Sequence, residues 1–225
     1  MDERYIRNLG ALTEEECLRL RGKKVFVAGC GGLGGHLTEM LLRLGVGAIV
    51  VADGDVFEAS NLNRQLLSEP ALLGVSKAEA AARRAERVNS DVAFTAIKVF
   101  LDENNVGGAI RGCDAVMDAL DSIPARKLLA EACGRAGIPL IHGAICGWVA
   151  QAGISMPGDG LMETLYPAGA SVSDKSSLAM TPALCAAMQT ALCIRLLTGR
   201  PVETGTLYYF DLLNMEFEQL FSPVL

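Results

Sequence analysis

Aromatic side chains are scarce in this sequence. Phe, Trp and Tyr together make up 5% of it, so the core cannot be the aromatic-rich interior of a β-sandwich. Positive charge is short as well. With 20 Lys and Arg against 26 Asp and Glu, the net charge of −6 argues against a general nucleic-acid surface, which needs a basic face. None of the seven cysteines (Cys17, Cys30, Cys113, Cys133, Cys146, Cys185 and Cys193) stands in C-x-x-C spacing, and their number is odd. Neither a disulfide framework nor a four-cysteine zinc site is expected, and most of these cysteines read as small buried hydrophobes. No apolar run approaches 18 residues without a charged or strongly polar group, and Met1-Asp2-Glu3-Arg4 opens with charges. A signal peptide and a membrane span are therefore not expected, and the cytoplasm is the expected compartment. The two histidines, His36 and His142, have no proton-relay spacing and are read as structural.

What is present suits one aliphatic α/β domain. The 225 residues are 51% hydrophobic and 20% charged, enough for one large core over 1–225 and marginal for two. Residues 13–21 read as a short helix, with Thr13 as N-cap and Glu16 completing a capping box. Strands are expected at 24–29, 48–52, 92–99, 114–118 and 138–142, and helices at 33–44, 76–88 (capped by Ser76) and 125–136. That alternation implies parallel βαβ units in a doubly wound, Rossmann-like, mostly parallel sheet with helices on both faces. After residue 150 the pattern weakens. Residues 157–177 read as a long loop, rich in Gly, Pro, Ser and Asp, and loops of that length are usually functional. Thr181 and Pro182 are expected to open a helix to about Leu197 as cap and first residue, with Gly199 ending it. Residues 206–212 and 215–221 read as antiparallel closing strands around Asn214.

Three signals mark a site. Gly29-Cys30-Gly31-Gly32-Leu33-Gly34 fits G-x-G-x-x-G between a strand and a helix, where free helix N–H groups meet phosphate. Alone, the motif is equally a tight strand-to-helix turn. Asp53 ends the next strand, where a carboxylate accepts hydrogen bonds from ribose hydroxyls, and so far a nicotinamide enzyme fits as well. The third signal separates the two. Ser60-Asn61-Leu62-Asn63-Arg64-Gln65 follows, then Lys77 thirteen residues after Arg64, then Asp118 and Asp121 as D-x-x-D. A triphosphate needs two cations and a carboxylate for magnesium, whereas hydride transfer has no evident use for them. Singly, Arg64 and Lys77 are ordinary surface charges and Asp121 an ordinary N-cap for a helix from 123.

Taken together, G-x-G-G-L-G, D-x-D, S-N-L-x-R-Q, the spaced lysine and D-x-x-D resemble the ThiF/MoeB/HesA family, bacterial relatives of the ubiquitin-activating enzymes. The resemblance runs from Arg4 to about residue 155 and resumes at 182–197. It implies an ATP-dependent adenylyltransferase acting with Mg2+ on the C-terminal Gly-Gly carboxylate of a ubiquitin-like sulfur carrier. By resemblance, Gly29, Gly31, Gly32 and Gly34 form the nucleotide loop, Gly32 packing on the nucleotide, and Asp53 binds ribose. Ser60, Asn61, Arg64, Gln65 and Lys77 line the phosphates, and Asp121 holds magnesium. Arg4-Tyr5-Ile6-Arg7 is similar to the family's R-Y-x-R-Q start, with Asn8 in place of the glutamine. That similarity implies a homodimer in which Arg7, on the 1–22 segment, reaches the partner's triphosphate. Two departures matter. The paired C-x-x-C motifs that bind structural zinc in many relatives are missing, so no zinc is expected. The 157–180 segment, a crossover-type loop, lacks the cysteine that several relatives use and carries Lys175, so the reaction is expected to stop at the adenylate. A nicotinamide-dependent oxidoreductase and a non-catalytic carrier-binding scaffold remain the alternatives.

Overall fold

The structure, a computed structural model, describes residues 2–171, 174 and 176–221. After a short 3-10 turn at Glu3–Asn8, the chain runs through α1 (Glu14–Arg21), β1 (Lys24–Ala28), α2 (Gly32–Leu44), β2 (Ala48–Ala52), α3 (Lys77–Val88), β3 (Ala93–Ile97), α4 (Val106–Ala109), β4 (Ala115–Asp118) and α5 (Ile123–Ala136). It continues through β5 (Leu140–Cys146), β6 (Val149–Ser155), α6 (Leu161–Leu165), α7 (Met180–Thr198), β7 (Thr206–Asp211) and β8 (Glu216–Phe221). The strands form one sheet in the order β3-β2-β1-β4-β5-β6-β7-β8. The five from β3 to β5 are parallel, and β6, β7 and β8 close the sheet antiparallel.

The side-chain period of two sorts each central strand onto two cores. Val25, Val27, Ile49, Val51, Met117 and Ile141 pack with α2, α3 and α7 on one face. Phe26, Val50, Val116 and Leu140 pack with α4, α5 and α6 on the other. Local chemistry sets the helix ends. Thr13 and Glu16 form the capping box of α1, Ser76 caps α3, and Gly45, Gly137 and Gly199 end α2, α5 and α7 in the left-handed region.

Several boundaries differ from expectation. Helix α7 starts at Met180, with Ala179 at the cap position and Thr181 and Pro182 inside the first turn. The Thr181 hydroxyl donates to the Gly147 carbonyl 2.8 Å away, so it ties the helix to the β5–β6 turn. Pro182 is tolerated there because a third helical residue has no intrahelical N–H partner. Ser122, not Asp121, caps α5. Residues 157–177 are not loop throughout, since α6 lies within them. Strand β6 carries no strand signal in the sequence, since Ala150, Gln151, Ala152 and Gly153 have little strand propensity; pairing with β5 and β7 on both sides imposes the conformation.

Helix α7 has 19 residues and a mean hydropathy of 1.4, long and apolar enough by composition to cross a membrane. Here it is a core helix packed on α2, β5 and β6. Its fully buried Gln189 donates to the carbonyls of Asp118 (2.8 Å) and Ile141 (3.0 Å), a polar anchor inside the apolar run.

Candidate active site

Strand order reverses between β1 and β4, and a parallel sheet opens a crevice at the carboxyl ends of the strands at such a point. The glycine loop crosses this edge. The Gly29 N–H donates to the Ala52 carbonyl, and Gly29 itself has φ +97°, a region closed to most side chains. A Cβ on Gly29 would stand 2.8 Å from the Ala119 carbonyl oxygen, and one on Gly34 only 1.9 Å from that of Gly29. These two glycines fasten the loop to β4 and to itself. Gly31 takes the N-cap position of α2 and brings no side-chain acceptor. The first helical N–H groups therefore keep their capacity for an anion. A Cβ on Gly32 would meet Pro182 Cβ at 3.5 Å and Cγ at 3.8 Å, and Arg64 Cγ at 4.0 Å, all ordinary contacts.

Asp53 follows β2. One carboxylate oxygen accepts the Cys30 N–H at 2.7 Å and the other the Asp55 N–H at 2.8 Å. Burial pushes its pKa above the ordinary value, against the lowering effect of those two bonds and of Lys77. Each oxygen keeps a lone pair for a further donor.

The Ser-Asn-Leu-Asn-Arg-Gln segment folds over this loop as a 3-10 turn, Ala59–Asn61, and the residues after it. Buried Asn61 holds the turn, its Oδ1 accepting the Glu58 N–H at 3.0 Å. Arg64 is half-buried, and its Nη1 donates to the Ser60 carbonyl and to Asn63 Oδ1, both at 2.9 Å. The Gln65 amide lies 3.6 Å from the Cβ position of Gly31, and its Oε1 is buried without a hydrogen-bond partner among the described residues. Lys77, the first residue of α3, is buried, and its Nζ stands 3.1 Å from Asp55 Oδ2. Buried lysine is rare unless paired, and a half-exposed carboxylate is the counter-ion at hand. Asp121 is exposed on the turn between β4 and α5, two residues beyond the Ala119 that packs on Gly29.

The glycines, Asp53, Ser60, Asn61, Arg64, Gln65, Lys77 and Asp121 thus lie on one edge of the sheet. Arg7 does not. Its turn is anchored at the opposite end of α2. There Tyr5 is buried against Gly45, its hydroxyl accepting from Asn89 Nδ2 at 2.6 Å, and Arg4 pairs with Asp91. Thirteen helical residues separate that end from Gly32, about 20 Å at 1.5 Å per residue.

Other groups bear on the site's chemistry. His142 is not at a strand end but within β5, fully buried, with Nδ1 2.8 Å from Asp118 Oδ2; burial holds its pKa below the ordinary histidine value. Asp118 is also fully buried and salt-bridged to Arg126 at 2.8 Å, so the two aspartates of D-x-x-D have different surroundings. Besides Asp118, His142 faces Arg126 Nη1 at 3.4 Å and the Tyr166 hydroxyl at 3.3 Å, partners absent from the sequence reading. Arg126 carries a spacing signal in retrospect: eight residues after Asp118, it lies one turn into the helix that follows. His36 is half-buried and shifted down by desolvation. Cys185 is buried inside α7, its thiol pushed up to about 12 by burial, with Arg126 lowering it and Asp118 raising it further. Cys146 is exposed at the end of β5, 3.5 Å from Asp174, and burial and that carboxylate both raise its pKa, so it is not a poised thiolate. Among the described residues, no three His, Cys, Asp or Glu side chains gather to hold a metal. Lys175 lies outside the described residues.

Comparison with known proteins agrees with this geometry. The model of the ThiF family matches residues 4–222. The chain is 36% identical over 207 residues to the SAMP-activating enzyme E1 of Haloferax volcanii, covering 89% of this chain and 77% of that one. It is 33% identical over 207 residues to the sulfur carrier protein ThiS adenylyltransferase of Bacillus subtilis, covering 88% of this chain and 61% of the relative. It spans about half the length of the adenylyltransferase and sulfurtransferase MOCS3 of Xenopus laevis, covering 47% of it at 29% identity. Among solved structures, E. coli MccB with ATP superposes with a TM-score of 0.84 at 22% identity, covering all of this chain and 74% of that one. MccB in complex with N-formylated MccA gives 0.87 at 22% identity, over 98% and 73%. At that identity the superpositions speak for the fold alone. The doubly wound sheet, its glycine loop and a family model that spans nearly the whole chain agree, and the chain belongs to the ThiF family.

Proposed function

We propose that this chain is an adenylyltransferase that binds ATP at the carboxyl edge of its sheet and activates the C-terminal glycine carboxylate of a ubiquitin-like sulfur carrier. One observation carries the reading. Two cations, Arg64 and the buried Lys77, flank a glycine loop whose helix brings no side-chain cap. A nicotinamide cofactor would use the loop and Asp53 but leave Arg64 and Lys77 without work.

In this reading the ribose hydroxyls donate to Asp53, and the phosphates lie against the N–H groups of α2. Ser60, Asn61 and Gln65 shape the phosphate side. Lys77 exchanges its Asp55 partner for a phosphate oxygen, and Arg64 supplies the second positive charge. Asp121 is the carboxylate suited to hold Mg2+, which when bound neutralises phosphate charge. The carrier's carboxylate, with an α-carboxyl pKa of about 3.5, is already ionised at neutral pH, so no general base is needed. Its oxygen bonds to the α-phosphorus, the bond from that phosphorus to the bridging oxygen breaks, and pyrophosphate leaves with the electron pair. The chain's contribution is positioning and charge stabilisation. Arg7 completes the site of the partner subunit in a homodimer, since its own turn packs at the end of α2 opposite the glycine loop. Without a low-pKa cysteine at this edge, the product released to the next enzyme is the acyl-adenylate.

The reading is tested by ATP–pyrophosphate exchange with candidate carriers ending in Gly-Gly. Carrier-dependent exchange is expected. Carrier binding without exchange would make the protein a scaffold, and protection against melting by NAD but not ATP would make it a nicotinamide enzyme.

A further inference from the structure

We infer that Asp118, Arg126 and His142 are positioning residues that fix Asp121 from inside the fold. The inference rests on Asp121 having the role given above. Four backbone groups tie the turn from β4 toward Asp121. The Asp118 carbonyl accepts from Gln189 at 2.8 Å, and the Ala119 N–H donates to the Ala28 carbonyl at 3.0 Å. The Leu120 N–H donates to Asp118 Oδ1 at 3.1 Å, and the Leu120 carbonyl accepts from Arg126 Nη2. That last carbonyl belongs to the peptide linking Leu120 to Asp121. Its orientation sets where the Asp121 side chain starts, and Ser122, the N-cap of α5, fixes the chain on the other side.

Arg126 does several things at once. Its Nη1 pairs with Asp118 Oδ2 at 2.8 Å and donates to the Gly143 carbonyl at 2.6 Å, while Nη2 holds Leu120. Only a planar guanidinium offers donors in that fork. His142 completes the set. Nδ1–H donates to Asp118 Oδ2, which leaves Nε2 as the acceptor facing the Tyr166 hydroxyl at 3.3 Å. Tyr166 lies edge-on to His142 and under the Arg126 guanidinium. Asp118, Arg126 and His142 are all buried, and a buried ion pair is weak as a source of stability, since apolar residues of equal volume often serve as well or better. A pair retained directly behind an exposed carboxylate, with one partner clamped on that residue's own peptide, is accounted for by position.

Substitution of such outer groups typically weakens metal affinity or activity about 10- to 100-fold. The test is a double-mutant cycle on the full chain, read by Mn2+ affinity in the presence of a non-hydrolysable ATP analogue, measured by electron paramagnetic resonance. Arg126→Lys keeps the charge and loses the fork. It should weaken Mn2+ binding about tenfold, raise the Mg2+ needed for half-maximal exchange alongside, and add less than about twofold when Asp121 is already Asn. An equal loss in both backgrounds marks a merely structural role and overturns the inference while leaving Asp121's role intact. If Asp121→Asn itself binds Mn2+ and exchanges pyrophosphate like wild type, Asp121 was misassigned and the inference falls with it. Should Arg126→Lys not fold, His142→Asn and His142→Leu replace it. Asn can still donate to Asp118 and should stay near wild type, Leu should weaken Mn2+ binding, and equal behaviour of the two refutes the inference.

Discussion

Gly32 and Gly34 stand two residues apart in one loop, yet alanine at each should fail in a different way. At Gly34 the new Cβ would lie 1.9 Å from the Gly29 carbonyl oxygen, against an ordinary C···O contact of about 3.3 Å, so backbone must separate by about 1.4 Å. Neither group is the end of a flexible side chain. Overpacking costs about 1–3 kcal/mol, and this case belongs at the upper end. For a chain of this size, that lowers Tm by about 6–12 °C. At Gly32 the Cβ would meet Pro182 at 3.5 Å, an ordinary contact, and Gly→Ala in a helix is neutral or stabilising by up to about 1 kcal/mol. Fold stability should therefore hold, and the loss should appear in ATP binding, since the methyl group occupies the surface on which the phosphates are proposed to rest. ATP at 100 times the wild-type Kd stabilises by about 2.7 kcal/mol, or about 5–11 °C. A 100-fold weaker variant retains about 0.4 kcal/mol of that, a shift of about 1–2 °C. Differential scanning fluorimetry with and without Mg2+-ATP reads both effects. A Gly32→Ala protein with the full ATP shift would remove the nucleotide from Gly32, and a Gly34→Ala protein that melts like wild type would show that the close approach is not as described.

Arg64→Ala, Lys77→Ala and Asp121→Ala should each reduce exchange by at least about 100-fold with little change in Tm, because each removes charge where phosphate charge develops; near-normal exchange in any one of them withdraws that assignment. An equal mixture of inactive Arg7→Ala and Asp121→Ala homodimers, after verified subunit exchange, should regain roughly a quarter of wild-type activity, since about half the dimers are mixed and each of these has one whole site. No recovery would reject action across the interface. One thiol per native chain, that of exposed Cys146, should react quickly with a maleimide while the six buried ones lag, and Cys185→Ala should keep full exchange. Rapid labelling of several thiols, or loss of exchange in a folded Cys185→Ala protein, would contradict this. Elemental analysis should find no stoichiometric zinc, because no cysteine pair has the C-x-x-C spacing of a structural site; a stoichiometric value would refute the prediction.

What could be read in advance was local. Thr13 with Glu16, Ser76 before Lys77 and Gly199 after α7 each decide a helix end through groups a few residues apart, and these ends were legible. The start of α7 was not, because Thr181 has two possible partners: a neighbouring N–H, or a carbonyl 34 residues back in sequence at Gly147. The fold supplies the second. Strand β6 shows the same competition, with sheet pairing overriding weak propensity. The site divides along the same line. The residues proposed to meet phosphate and ribose sit at fixed offsets from strand ends, so a glycine run, an aspartate and a spaced lysine are visible as a pattern. Arg126, His142 and Gln189 come from three different elements and meet at Asp118 only when the sheet is assembled, with Tyr166 behind His142. No spacing announces such a meeting. A carboxylate facing substrate must still be aimed, and aiming needs buried donors at several angles, which neighbours in sequence cannot supply. The pattern of a site is thus written where its ligand touches, and its precision is written wherever the fold can bring rigid donors behind it.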